Sequence, residues 1–457
     1  MTIATTNPAT GEVEAEYEPH TDAEVELRLA AAVDAFAELR RWPFSRRAEA
    51  MRRAADLLDA DVDVLATTMT REMGKTFTSA QAEVRKCATC CRYYADHAEG
   101  LLRIETADAE AAGASAAYVR YEPLGPVLAV MPWNFPMWQV IRFAAPALMA
   151  GNVGVLKHAS NVPQTAEYLD TLFARAGFPV GAFSALRIGA DRVETVLRDP
   201  RVRAATLTGS EPAGRSIAAI AGDEVKPTVL ELGGSDPFIV MPSADLDRAV
   251  RTAITARVQN NGQSCIAAKR FLVHEAIADE FERRFVEGMR ALVVGDPMDP
   301  ATDVGPLVDR AGLEATIEIV EDARDKGATI HCGGQRLDRP GWFYAPTVVS
   351  NITSAMRIFR EELFAPVAAL YRISDEQHAV QLANATSFGL GASVWTEDAD
   401  ERAIFIDALE SGQVFVNDMT VSSPYLPFGG VKRSGYGREL SVHGIRAFCN
   451  AKAVWVH

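Results

Sequence analysis

The stretch LGPVLAVM at residues 124–131 decides the fold. It is almost wholly apolar, which is typical of a strand buried on both faces. From this point strand-like and helix-like segments alternate. The predicted helices are 135–150, 163–176, 192–198 and 212–221, and the predicted strands are 153–157, 185–188, 202–207 and 228–232. This alternation predicts a parallel sheet with helices on both faces.

A second alternating block follows the glycine pair at 233–234. Its predicted strands are 237–241, 270–274, 367–373, 391–395 and 414–417, and its predicted helices are 245–261, 276–293 and 310–326. The first hundred residues have mostly helical spacing, whereas residues 102–121 read as an extended hairpin. We therefore expect an α/β protein with two Rossmann-like parallel-sheet domains and a small extra β element.

Composition limits the kind of protein this is. The 457 residues carry a formal net charge of −15 with scattered Lys and Arg, which argues against nucleic-acid or anionic-membrane partners. No secretory signal and no apolar run of about 20 residues is visible, so a cytoplasmic protein is expected. Cys87, Cys90 and Cys91 lie in a helical pattern without a matching Cys or His pair. They are interpreted as structural thiols, and no metal site is expected.

One cysteine stands in a setting suited to chemistry. The segment NNGQSCIAAKR at residues 260–270 follows a helix-like pattern and precedes the strand-like run FLVH at 271–274. A thiol on a short polar turn is accessible in a way that a packing residue is not. Cys265 is therefore a candidate nucleophile.

A nucleophilic thiolate needs a base and an oxyanion donor. Glu231 ends a predicted strand before two glycines, where α/β proteins bind ligands, although a surface carboxylate before a turn explains it equally well. Asn134 in PWNFP at 132–136 has an amide that could donate to an oxyanion, or it caps the helix that follows. LTGSEPAG at 207–214 fits either a pyrophosphate turn or, as its spacing favours, an ordinary βα turn.

Five motifs stand together in a familiar order. They are PWNFP at 132–136, ELGG at 231–234, GQSC at 262–265, EELFAPV at 361–367 and PFGGVKRSG at 427–435. With NPATG at 7–11, the chain resembles the aldehyde dehydrogenase superfamily over nearly its whole length. The resemblance implies a cofactor domain at 1–101 and 122–231 and a catalytic domain at 232–430. Residues 102–121 and 431–457 would be an oligomerisation element and C-terminal tail, with a homodimer or homotetramer as the assembly.

The resemblance also implies roles for individual residues. Cys265 would attack the aldehyde, and Asn134 with the Cys265 backbone N–H would hold the oxyanion of the thiohemiacetal. Glu231 would activate the water that hydrolyses the thioester. The residues implied to bind the cofactor are Trp133, Lys157, Ser160, Gly209, Ser210, Gly214, Leu232, Glu362 and Phe364.

Cofactor choice is predicted from residues 157–160. NAD-preferring relatives often carry Glu at the Ser160 position, where a carboxylate would repel a 2′-phosphate. Serine removes that repulsion and Lys157 adds a positive charge, so we expect NADP, with NAD as a weaker alternative. The competing interpretation of Ser160 is a helix cap near Pro163.

The substrate is predicted from the same resemblance, which is greatest to short bacterial succinate-semialdehyde dehydrogenases. Arg142, about two helical turns after Asn134, matches the family's substrate arginine, and the competing interpretation is an ordinary ion pair on a helix. Ser264 and Ser422 are the other candidate donors to the substrate. Gln259 stands where some of these enzymes have a second arginine. The alternatives are oxidation of another small aliphatic aldehyde or semialdehyde, and a catalytically silent binding relative.

Overall fold

The N-terminal part of the computed structural model, which describes residues 3–457, is mainly helical. Its elements are β1 (Ile3–Thr6), β2 (Val13–Tyr17), α1 (Asp22–Leu39), α2 (Phe44–Ala60), α3 (Val62–Met73), α4 (Phe77–Leu101), β3 (Glu105–Thr106) and β4 (Ala116–Pro123). Strands β1 and β2 pair with each other antiparallel. Strand β3 pairs antiparallel with β4, so the predicted hairpin at residues 102–121 is present in shorter form.

The apolar stretch at 124–131 opens the first large sheet. Its strands and helices are β5 (Pro126–Met131), α5 (Trp138–Ala150), β6 (Val153–His158), α6 (Pro163–Arg175), β7 (Phe183–Ala185), α7 (Val193–Arg198), β8 (Ala204–Thr208), α8 (Glu211–Asp223) and β9 (Thr228–Glu231). The order β9-β8-β5-β6-β7 is parallel throughout. Strand β5 lies at its centre, which explains why its residues are apolar on both faces.

The second large sheet follows the glycine pair. Its elements are β10 (Pro237–Val240), α9 (Leu246–Val258), β11 (Arg270–His274), α10 (Glu275–Ala291), α11 (Arg310–Asp325), β12 (Thr329–Cys332), β13 (Thr347–Ser350), α12 (Arg357–Arg360), β14 (Val367–Ile373), α13 (Glu376–Asn384), β15 (Ala392–Trp395), α14 (Ala399–Ala408) and β16 (Val414–Val416). The order is β12-β13-β14-β11-β10-β15-β16, parallel except for β12.

The C-terminal tail joins two sheets. It contains β17 (Gly435–Tyr436), α15 (Ser441–Arg446) and β18 (Cys449–Val456). Strand β17 pairs antiparallel with β9 and extends the first sheet, whereas β18 pairs antiparallel with β4. The predicted fold class, two Rossmann-like sheets with a small β element, is confirmed. The boundaries assigned to the domains stay predictions.

Three predicted elements have a boundary that was wrong by three residues, and for the two helices the reason is local. Helix α5 begins at Trp138 rather than at residue 135, because Pro136 disfavours helix in the residue before it. Helix α9 ends at Val258, since Asn260 and Asn261 are left-handed with φ of 54° and 58°. Strand β7 covers Phe183–Ala185 rather than 185–188.

The start of α5 also rules out Asn134 as its cap. The backbone N–H groups of Met137 and Trp138 instead donate to Glu83 Oε1 on α4, each at 2.9 Å. A carboxylate at this position accepts hydrogen bonds from N–H groups that have no partner within the helix, and it interacts favourably with the positive end of the helix dipole. Helix α4 therefore fixes the end of the loop that carries Asn134.

No helix within residues 3–457 combines the length and the apolar character needed to cross a bilayer.

Candidate active site

The turn that presents Cys265 is held by buried amides. Asn260 Nδ2 donates to the carbonyls of Asn134 at 2.8 Å and Gln263 at 3.0 Å. Asn261 Nδ2 donates to the carbonyls of Gly74 at 2.7 Å and Pro306 at 3.0 Å. Asparagine is among the few residues that adopt left-handed backbone readily. The polar composition of the turn thus serves its conformation as well as its accessibility.

Two further contacts lock the same turn. Gly262 has φ of 77°, and a Cβ there would overlap the Ala365 carbonyl, so no larger residue fits. The Lys269 ammonium is fully buried and donates to the carbonyls of Ser264 at 2.8 Å and Cys265 at 2.7 Å. Lys269 therefore fixes the backbone of the nucleophile and places a positive charge near the thiol.

Cys265 opens into a cavity of about 230 Å³, here called the cysteine cavity. Most of the residues predicted for catalysis and cofactor binding line it. The lining residues are Pro132, Trp133, Asn134, Gln139, Thr208, Gly209, Ser210, Leu232, Gly233, Cys265, Glu362 and Phe364. Residues from four of the quoted motifs therefore meet at the carboxyl ends of β5, β8 and β9, where parallel sheets place their ligands.

The electrostatic setting of the thiol has two opposing parts. Burial raises the pKa of Cys265 to about 11, and the charges of Arg142 and Lys269 work against that rise. Glu362 and Asp236 raise the pKa further. Burial has the largest effect, so the thiol form predominates at neutral pH until something else stabilises the thiolate.

The oxyanion donors are oriented before any substrate arrives. Asn134 is buried, and its Oδ1 accepts from Gln139 Nε2 at 3.0 Å, which fixes the direction of the amide. One hydrogen of Nδ2 is donated to the Gln263 carbonyl at 3.1 Å, leaving the second hydrogen for another acceptor. Within residues 3–457, no backbone acceptor pairs with the Cys265 N–H. These two donors can together stabilise a negative oxygen.

Glu362 and Phe364 form the opposite wall of the cysteine cavity. Glu362 Oε1 accepts from the Gly234 N–H at 3.1 Å and lies 3.4 Å from Lys269 Nζ. The Phe364 ring packs edge-on against Trp133, with centroids 5.7 Å apart. A Cβ at Gly233 would overlap the Glu362 carboxylate, so a glycine is needed here for Glu362 to lie this close to the backbone that follows β9.

Glu231 lies behind the cavity rather than on its lining. It ends β9 and is buried, and neither carboxylate oxygen has a hydrogen-bond partner among the described residues. Burial and the neighbouring Glu439 carboxylate raise its pKa well above the usual range, and Arg142 opposes this. This arrangement disfavours the carboxylate form of Glu231, and the group acts as a base only in its ionised form.

Arg142 is engaged inside the protein. Its guanidinium forms a buried ion pair with Glu439 and donates to Thr208 Oγ1 at 3.0 Å. It also lies over the Phe428 ring, 4.7 Å from the centroid. Arg142 does not line the cysteine cavity. Its role as a substrate contact stays a prediction, and its partners give it a structural role as well.

The two predicted substrate serines differ in their surroundings. Ser264 is fully buried, and its hydroxyl has no partner among the described residues. Ser422 is buried, and its Oγ accepts from Trp138 Nε1 at 2.7 Å and from Lys86 Nζ at 3.0 Å. Ser422 therefore lies at the end of a chain of donors that comes from α4 and α5.

The remaining cofactor predictions lie along the first sheet. Lys157 is on β6, where burial lowers its pKa. Ser160 follows β6 and lines a separate cavity of about 300 Å³. Helix α6 begins at Pro163 with Val162 in the capping position, so Ser160 is not its N-cap. Gly214 lies in α8, where a Cβ would overlap the Leu232 side chain, so this glycine also allows close packing of helix and strand.

Four residues with evident roles were not assigned from the sequence. They are Glu83, Lys86, Lys269 and Glu439. Lys269 lies within the segment at residues 260–270, but the sequence does not show that its side chain is fully buried against the backbone of the Cys265 turn. Glu439 comes soon after the quoted glycine-rich tail. Glu83 and Lys86 lie on a helix with no recognisable motif, so no signal in the sequence marks them.

Comparison with known proteins identifies the family. The model of the aldehyde dehydrogenase family matches residues 1–454. The chain belongs to the aldehyde dehydrogenase family. A Mycobacterium avium (strain 104) relative named succinate-semialdehyde dehydrogenase [NADP(+)] is 63% identical over 457 residues, covering 100% of this chain and 97% of the relative. A Mycobacterium tuberculosis (strain H37Rv) relative, named succinate-semialdehyde dehydrogenase [NADP(+)] 1, is 62% identical over 456 residues and both chains are covered completely.

Solved structures agree with this family membership. The aldehyde dehydrogenase described here superposes on Gox0499 with a TM-score of 0.98 at 39% identity, covering 100% of both chains. It superposes on succinic semialdehyde dehydrogenase from Streptococcus pyogenes, solved with NADP+ as the cofactor, with a TM-score of 0.96 at 37% identity over 99% of both chains.

Proposed function

We propose that this aldehyde dehydrogenase oxidises succinate semialdehyde to succinate with NADP. The observation that carries the proposal is the cysteine cavity, in which an accessible thiol, an oriented amide donor and the Glu362–Phe364 wall meet. The relatives named for this reaction cover the whole chain at 62–63% identity, which supports the choice of substrate and cofactor.

The proposed reaction begins at Cys265. Its thiolate bonds to the aldehyde carbon, and the carbonyl oxygen becomes an oxyanion held by Asn134 Nδ2 and the Cys265 N–H. When the oxyanion collapses and the carbon gives up its hydride, the product on Cys265 is a thioester. Water then attacks the thioester carbon, Glu231 accepts a proton from that water, and the carbon–sulfur bond breaks to release the acid and the thiolate.

The residues of the cysteine cavity fit a nicotinamide cofactor. Gly209 and Ser210 precede the N-terminus of α8, a position suited to a pyrophosphate, and Glu362 offers a carboxylate for a ribose hydroxyl. Gly233 leaves room that a Cβ would fill. Trp133, Gly214, Leu232 and Phe364 are proposed to pack beside the cofactor, and Lys157 and Ser160 to face the adenosine ribose and its phosphate. When bound, NADP supplies the hydride acceptor.

The assembly and its place in the cell belong to the same proposal. Strand β18 is the outer strand of the order β18-β4-β3, and its Trp455 and Val456 are exposed. Such an edge pairs readily with another chain unless it is protected. We propose a homodimer or homotetramer that uses this edge, located in the cytoplasm.

The test of the function is a substrate panel. kcat/KM should be measured with NADP for succinate semialdehyde, glutarate semialdehyde and butanal by following the absorbance of the reduced cofactor, in wild type and Arg142→Ala. We expect wild type to prefer the acids to butanal, because a carboxylate gains charge-assisted hydrogen bonds that a methyl group cannot. Equal rates for butanal and the acids would indicate a general aliphatic aldehyde dehydrogenase instead.

A further inference from the structure

A lysine that no motif contains reaches one of the predicted substrate residues. Lys86 lies on α4, and its Nζ donates to Ser422 Oγ at 3.0 Å. Its ammonium also lies over the Trp138 ring, 4.1 Å from the centroid. Trp138 Nε1 donates to the same Ser422 oxygen at 2.7 Å. Elements α4 and α5 thus meet at one hydroxyl group.

The charge of Lys86 has no counterion. Within residues 3–457, no carboxylate lies within 4.0 Å of its ammonium, whereas the two fully buried lysines, Lys75 and Lys269, are paired with Glu83 and Glu362. Burial and the nearby Arg142 lower the pKa of Lys86 to about 8. A partly buried cation whose contacts are a hydroxyl and a ring, with no carboxylate within ion-pair distance, favours binding of an anion.

Lys86 lines a cavity of about 410 Å³, here called the lysine cavity. Phe135 and Trp138 form part of its wall, whereas Asn134 and Gln139 of the same segment line the cysteine cavity. The two cavities therefore lie on either side of one short stretch of chain. Gln259 also lines the lysine cavity. Some relatives have a second arginine at this position, whereas the side chain here is uncharged.

Ser422 is prepared to donate to the same anion. Its oxygen already accepts two hydrogen bonds, from Lys86 and Trp138, so both lone pairs are used. The hydroxyl hydrogen is then the only part of the group left to bind a ligand, and it can bind only an acceptor. Lys86 keeps two further hydrogens of its own. Ser422 does not itself line the lysine cavity but contacts Lys86 and Trp138, which do. Lys86 and Ser422 together offer donors and no free acceptor, which suits a carboxylate.

We propose that Lys86 is a specificity residue that binds the distal carboxylate of the substrate, together with the Ser422 hydroxyl. The inference rests on the proposed function, since it assigns a binding group to the acid end of the semialdehyde. Arg142 is not the direct partner of the carboxylate in this proposal, because its guanidinium is already paired with Glu439. Lys86 takes the cationic role that Gln259 cannot fill.

The test is the ratio of kcat/KM for succinate semialdehyde to that for butanal, which differ at the carboxylate end. Lys86→Met keeps the length of the side chain and removes its charge, so we expect the ratio to fall about 10- to 100-fold, the worth of a charge-assisted hydrogen bond. The matched control is Lys326→Met, which removes a lysine whose Nζ binds Asp322 at 2.6 Å on α11. The control ratio should equal that of wild type.

A second readout needs no variant. Because the Lys86 charge is lost as pH rises through a pKa of about 8, the wild-type ratio should fall above that pH. Ionisation of Cys265 affects both substrates and cancels in the ratio. The other charged or titratable groups that face Lys86 are Glu83, Cys87 and Cys90 on α4, Arg142 on α5 and Asp303 across the cavity. In Lys86→Arg the ratio should stay constant between about pH 7 and pH 10, because arginine keeps its charge.

The outcomes separate the two proposals. A wild type that prefers the acid, with an unchanged ratio in Lys86→Met or a wild-type ratio that does not vary with pH, overturns the role of Lys86 and leaves the proposed function intact. A wild type without any preference for the acid overturns the proposed function itself. A lower ratio in Lys86→Met beside an unchanged Lys326→Met ratio supports both proposals.

Discussion

The cysteine cavity and the lysine cavity share a short stretch of chain but are built in different ways. The first is lined mainly by residues from the quoted motifs, at the carboxyl ends of parallel strands and on the Cys265 turn. The second is lined mostly by side chains of α4 and α9 that belong to no motif, together with Phe135, Trp138 and the Asn260–Asn261 pair, and Lys86 supplies its positive charge. The difference separates a general oxidation chemistry from the recognition of one class of aldehyde.

The physical requirements of the two cavities explain this difference. Stabilising an oxyanion needs donors held at fixed positions, and the turn that carries Cys265 is held by left-handed asparagines, a close-packed glycine and the buried Lys269 ammonium. Recognising a distal carboxylate needs a cation and a donor, which here come from helix α4 and from the segment around Ser422. Changes in the cysteine cavity should therefore reduce activity on all aldehydes, and changes in the lysine cavity should alter selectivity.

The largest expected effect is the loss of the nucleophile. Cys265→Ala should lower kcat for succinate semialdehyde and butanal alike, by roughly 10⁴-fold or more, because no covalent intermediate can form. Turnover measured with both aldehydes checks this. Cys332→Ala is the thiol control, since Cys332 lies on β12 away from both cavities and should keep wild-type rates. Retained turnover in Cys265→Ala would mean that the cysteine cavity is not where the chemistry occurs.

Removal of the amide donor comes second. Asn134→Ala should lower kcat about 10²- to 10³-fold for both aldehydes, the usual cost of removing one oxyanion donor. Because Asn134 lines the cysteine cavity and not the lysine cavity, the ratio of kcat/KM for acid to butanal should remain that of wild type. A selective loss with the acid alone would show that the two cavities do not divide the work in this way.

The sequence predicted the cysteine cavity much better than the lysine cavity. Strand β5 and the alternation after it predicted the parallel sheet, and the motifs predicted Cys265, Asn134, Glu362 and Phe364, which meet as expected. The Asn134 loop was harder, because its end is fixed by Glu83 from a helix 54 residues earlier in the chain. Lys86 could not be predicted, since it stands in no motif and only tertiary packing brings it against Ser422 and Trp138.

A smaller effect is expected from a change at Ser160, which should alter the preference for NADP over NAD but not the selectivity among aldehydes. Ser160→Glu should lower kcat/KM for NADP relative to NAD by about 10- to 100-fold, because the new carboxylate repels a 2′-phosphate. The ratio for acid to butanal, measured with the better cofactor, should not change. Unchanged NADP preference in the variant would remove Ser160 from the proposed phosphate site.

The smallest effect is expected from a second cation in the lysine cavity. Gln259→Arg places a guanidinium on the wall that Lys86 also lines, so the ratio for acid to butanal should rise about three- to tenfold at pH 7. Gln259→Met, which is similar in size and uncharged, separates this charge effect from a change in cavity shape. The new positive charge also disfavours the charged form of Lys86, so its pKa should fall further and the pH at which the ratio declines should move below that of wild type. The kcat/KM ratio for acid to butanal could instead rise while the pH of its decline stays that of wild type. The new arginine would then bind the carboxylate too far from Lys86 to affect its pKa, and the two residues would not form one binding site.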